Sequence, residues 1–156
     1  MINGIPLHPL IIHVVVVFIP LTAVFAAAAL VPRWRMAMAP LAGLFALASV
    51  AGAIAARATG EQLLETTGSS PILERHEELA EYIVPLTVAT AVFLVVAAVL
   101  HLGRPGFVAQ LNEGALAGVP WVHTALSVVG LLFALASTVQ VILIGDAGAQ
   151  SVWLGG

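Results

Sequence analysis

The chain has 156 residues, of which 61% are hydrophobic and only 8% charged, and its mean hydropathy is +1.10. A soluble domain carries about 25% charged residues, so this composition excludes a water-facing globule and points to a multi-pass membrane protein whose first partner is the lipid bilayer. With no cysteine and a net charge of −3, it excludes disulfides and thiolate ligands, and five scattered arginines make no basic stripe for nucleic acid.

A transmembrane helix needs about 20 mostly apolar residues, and hydropathy places four spans at about 9–32, 36–57, 76–101 and 119–144. The expected fold is all-α: one integral membrane domain over residues 1–156, a four-helix up-down-up-down bundle whose third helix extends beyond the membrane. No Lys or Arg precedes the first span, so it does not read as a signal peptide. Arg33-Trp34-Arg35 forms a tight connection between spans one and two, and 103–118 is expected along the surface. No internal repeat is evident at this level.

Span one opens at Pro9, which suits a first helical turn and puts His8 at the cap. His13 lies one turn deeper. Pro20 has no N–H for the carbonyl of Val16, and Pro85 none for that of Glu81. On span two, Ala48, Gly52, Ala56 and Gly60 recur every four residues, a candidate contact stripe. Ser69-Ser70-Pro71 has the form of a helix start. From there Glu74, Glu78 and Glu81 fall on one stripe, expected to face water. Leu73, His76, Ala80 and Ile83 fall on another, expected to face the bundle. Span four carries Gln140 and ends at Gly145-Asp146. Its start, with His123 beside Trp121, reads as interfacial, and His101 as a helix C-terminal residue.

An even number of spans returns the N-terminus, the 57–81 connection and the C-terminus to one face. That face carries a net −5, against +2 on the other. Arginines number three on the second face and two on the first, so the positive-inside rule places both termini outside a bacterial inner membrane. His8, His13, His76, Gln140 and Asp146 are expected to converge on the acidic face. Ionisable groups inside membranes point to function. His13 and His76 are candidate ligands of a haem b. His8, His13, His76 and Asp146 are candidates for a transition-metal ion, with Gln140 and Pro20 in support. The competing expectation is that each imidazole merely caps a helix or satisfies a carbonyl.

The opening GIPLHPLIIH resembles the signature HPL-x-x-H-x-P of a bacterial predicted-membrane-protein family, domain of unknown function 2231. The matching residues are His8, Pro9, Leu10 and His13, then His76 opening the third span, then Gly145 to Trp153 in place of a Gly-His-x-Gly-like turn. Val15 stands where the family has proline, and Asp146 where it has histidine. The resemblance implies a redox neighbourhood, because some relatives look like membrane modules joined to Rieske or cytochrome c domains. The functional expectation is a redox- or metal-associated module without catalysis of its own: no nucleophile elbow, P-loop or His-Glu-x-x-His is present. The alternative is a non-catalytic accessory subunit packed against other membrane subunits or a redox protein.

Overall fold

The computed structural model describes residues 7–67, 71–102 and 121–153. Among these residues five helices follow in order: α1 (Leu7–Ala29), α2 (Arg35–Thr67), α3 (Pro71–Ala80), α4 (Ile83–Leu102) and α5 (Val122–Trp153). Among the described residues there is no strand. Four segments are long and apolar enough to cross a membrane: Leu10–Ala29, Arg35–Leu63, Leu73–Leu102 and Val122–Gln150. They form the expected helical bundle. Neighbours around it are α1 with α2, α2 with α4, α4 with α5 and α5 with α1, while α3 lies against α5.

The helices differ from the hydropathy blocks where polar sequence keeps a helical fold. α2 and α5 continue well past the apolar segments, to Thr67 and Trp153. α3 starts at Pro71 as expected. Ser69, Ser70 and the 103–118 connection lie outside the described residues. Glu74, Glu78 and Glu81 are exposed, Ile83 is buried and His76 is half-buried, which matches the two stripes. The third span is not one straight rod: a turn at Glu81–Tyr82 separates α3 from α4. The cause is Pro85, which offers no N–H to the Glu81 carbonyl. Pro20 and Pro40, by contrast, sit inside continuous helices.

The interior is built from small side chains. Ala26, Ala42, Ala46 and Ala53 are essentially inaccessible, whereas Leu44, Ile54, Leu132 and Ile142 point outward. A soluble bundle would bury its leucines. Here alanine lets backbones approach and the bulky apolar groups face the solvent, which is the arrangement lipid favours. The small-residue stripe of α2 serves this packing: Gly52 lies against Val15 and Gly60 against His8, both on α1.

The two halves of the bundle are built alike. Shifting α1 by 68 residues lays it on α3 and α4, and shifting α2 by 88 lays it on α5. Thr22-Ala23-Val24-Phe25 then coincides with Thr90-Ala91-Val92-Phe93, and Leu44-Phe45-Ala46-Leu47-Ala48-Ser49 with Leu132-Phe133-Ala134-Leu135-Ala136-Ser137. The contacts repeat too. Phe25 packs on Phe45 with ring centroids 4.9 Å apart, and Phe93 on Phe133 at 5.6 Å. Thr22 and Thr90 donate to the carbonyls of Phe18 and Leu86, and Ser49 and Ser137 to those of Phe45 and Phe133. These back-bonds satisfy hydroxyls that lipid could not. With Thr87 they surround a small void in mid-bundle. The neighbour pattern fits a pseudo-two-fold axis along the bundle, exchanging α1 with α3–α4 and α2 with α5. The repeat absent from the sequence reading is therefore present in the structure.

Candidate functional site

The repeat places two imidazoles at one rim. His8 lies in the first turn of α1, but its ring does not cap that helix. Nδ1 reaches across to α2, 2.9 Å from the Ala56 carbonyl and 3.2 Å from the Thr59 hydroxyl oxygen. The Thr59 hydroxyl donates to the Ala55 and Ala56 carbonyls, so its lone pair is open to His8. Gly60 makes the room: a Cβ there would stand 3.1 Å from Cε1 of His8.

His76 repeats this arrangement in the second half. Its Nδ1 lies 3.0 Å from the Ile144 carbonyl on α5. Gly148, one turn on, stands in the place of Gly60, and a Cβ there would meet the ring at 3.2 Å. A second bond fixes the same pair of helices, because Gln140 Nε2 donates to the Leu79 carbonyl at 2.6 Å. α3 is thus held to α5 by one bond in each direction.

A carbonyl only accepts, so the proton of each ring sits on Nδ1 and Nε2 keeps its lone pair. That is how protein scaffolds orient imidazoles that act as ligands. Burial pushes the His8 imidazole below its usual 6.5, the hydrogen bond to Ala56 opposes this, and the charge on His76 lowers it further. The unfolded chain then binds the proton more readily than the folded one. His8 takes nothing from stability above 6.5 and weakens the rim as the pH falls from 6.5 toward its lower folded value.

The other expected ligands lie apart from this pair. His13 is exposed on α1. Five residues separate it from His8, which turns it about 140° around the helix. Asp146 is exposed and accepts a bond from Gln150 Nε2 at 2.8 Å. It follows Ile144 by two residues, about 200° round α5 from the carbonyl that holds His76. Pro20 is half-buried inside α1. Among the described residues, no three His, Asp or Glu side chains are grouped to hold a metal ion. Depth along the helix was legible in the sequence; the angle around it, which sets the sides that His13 and Asp146 take, was not.

Fold and rim together define a multi-pass, four-span helical membrane protein with paired imidazoles at one end. The chain belongs to the family described as predicted membrane protein (DUF2231), which it matches over residues 4–156. No curated protein and no solved structure matches it.

Proposed function

We propose that the protein is a redox- or metal-associated membrane module in which His8 and His76 present Nε2 as ligands, to haem b or to a transition-metal ion. One observation carries the reading. Two pseudo-equivalent imidazoles each commit Nδ1 to a backbone carbonyl of the neighbouring helix, and each is seated against a glycine. A ring that merely satisfied a carbonyl would not need the same seat built twice. Haem b would be held by the two imidazoles without further protein ligands, and a metal ion bound here would complete its shell with water or a partner's ligand.

The test is the visible spectrum and metal content of the protein purified in mild detergent, followed by reconstitution with haem b, Cu²⁺ and Zn²⁺. Bound haem or metal is expected, lost in both His8→Ala and His76→Ala and retained in His13→Ala. A colourless, metal-free protein that takes up none of the three overturns the reading and leaves an accessory, packing role.

The same proposal sets this rim outside the cytoplasm of a bacterial cell, on the arginine asymmetry between the two faces. A reporter fused to the C-terminus is then active only when it requires export. Activity restricted to cytoplasmic reporters contradicts it.

A further inference from the structure

The opposite rim carries a basic cluster that the imidazole pair does not use. Arg35 opens α2, His123 lies in the first turn of α5, and His101 lies in the last turn of α4. The Arg35 guanidinium donates from Nη1 to Nε2 of His123 at 2.9 Å and from Nε to the Ala29 carbonyl at 3.3 Å. The rings of His101 and His123 stand 5.8 Å apart, tilted by 40°. His101 Nε2 is shielded from solvent and has no hydrogen-bond partner among the described residues, an omission that in native proteins calls for a water, ion or ligand.

Among the described residues, no carboxylate lies beside this cluster. Both acceptors of Arg35 are neutral. Every acidic residue described lies towards the other rim, on the last third of α2, on α3, in the turn after it or late in α5. A metal cation beside the fixed guanidinium would be repelled, whereas an oxyanion would be drawn in and could take a fork of N–H donors. The pseudo-two-fold strengthens the case. Arg35 is the equivalent of His123, so both halves put a basic group at that position. The depth is that of phospholipid headgroups. Trp34 and Trp121 are exposed at this rim, Arg33 stacks over Trp34 at 4.6 Å, and tryptophan marks the membrane–water interface.

We propose that Arg35, His101 and His123 form a binding site for a phosphate-type oxyanion, supplied by the headgroup of an anionic phospholipid. Arg35 gives the fixed charge, and His101 Nε2 gives the second donor once an acceptor is present. The site is independent of the imidazole pair at the other rim.

Native mass spectrometry of the full chain, released from phosphatidylcholine nanodiscs doped with phosphatidylglycerol, tests this. The wild type is expected to retain phosphatidylglycerol in preference to phosphatidylcholine. Arg35→Gln should weaken retention by roughly tenfold or more, as loss of a charged hydrogen bond implies. His101→Ala, a smaller change that leaves the Arg35 bonds in place, should weaken it in the same direction, and Arg57→Gln at the other rim should not. Equal retention by wild type, Arg35→Gln and His101→Ala overturns the site. Inorganic phosphate added in pure phosphatidylcholine nanodiscs supplies the other arm. Binding of phosphate alone, with no preference for phosphatidylglycerol, overturns the lipid as the source.

Discussion

Gly130→Ala destabilises the bundle by about 1–3 kcal/mol, the usual range for overpacking a core, and adding Leu94→Ala restores most of it. A Cβ on Gly130 would stand 2.5 Å from Cδ2 and 2.7 Å from Cγ of Leu94, and 3.3 Å from Cβ of Phe93. The leucine cannot simply swing away, because Cγ as well as its tip is in the way. In the first half, the equivalents of Gly130 and Leu94 are Ala42 and Ala26, and all but Gly130 share one buried cluster. The two halves therefore fill one kind of space with different pairs, alanine with alanine in one and glycine with leucine in the other. Leu94→Ala alone leaves a cavity, a change that costs about 2–5 kcal/mol in soluble cores and less here, where lipid removes the transfer part. The double variant rebuilds the first half's solution in the second. Unfolding in detergent of the wild type, both single variants and the double variant is expected to show strong coupling, with the double close to wild type. A double variant as unstable as the two singles added together would show that the halves do not pack equivalently.

Much of the fold was legible. Composition alone set the solvent, and runs of apolar residues gave four spans. Pro71 and the glutamate stripe placed the start of α3, whereas the break before α4 was not foreseen: Pro85 showed only a carbonyl left without its donor. Helix ends were less legible, because hydropathy reports lipid and not backbone geometry, so α2 and α5 outrun their apolar blocks. The repeat escaped notice for two reasons. Its exact words, TAVF and LFALAS, are short and sit in a background rich in alanine, valine and leucine. The two helices of each half also shift by different amounts, since the connection over 103–120 is longer than that at 30–34, so no single offset aligns the halves. At the site, His8 and His76 could be placed by topology. The sides of the helices on which His13 and Asp146 lie were not legible without the angle around the helix. Arg35, His101 and His123 had each been explained singly, as a loop charge, a helix end and an interfacial ring, and only the fold brings them together.

The second large effect is an inversion of tautomer. A histidine in water mostly carries its proton on Nε2, and the hydrogen bond made by one nitrogen decides the state of the other. Both rings at the candidate ligand site have a carbonyl oxygen within 3.0 Å of Nδ1. Holding the proton there costs His8 and His76 nothing in the folded state and leaves Nε2 open to a ligand. If the rings instead carried the proton on Nε2, each would set a lone pair against a carbonyl oxygen, and neither could bind a metal without first turning over. The proposed ligand role depends on this one arrangement.

Nitrogen-15 NMR of the imidazoles, in the full chain in detergent above pH 6.5, tests it most directly. Both His8 and His76, assigned by single replacement, are expected as the Nδ1–H tautomer, and added Zn²⁺ should shift their Nε2 signals and not their Nδ1 signals. Finding either ring in the Nε2–H form would contradict the account, because the imidazole would then be turned away from the carbonyl that is said to hold it.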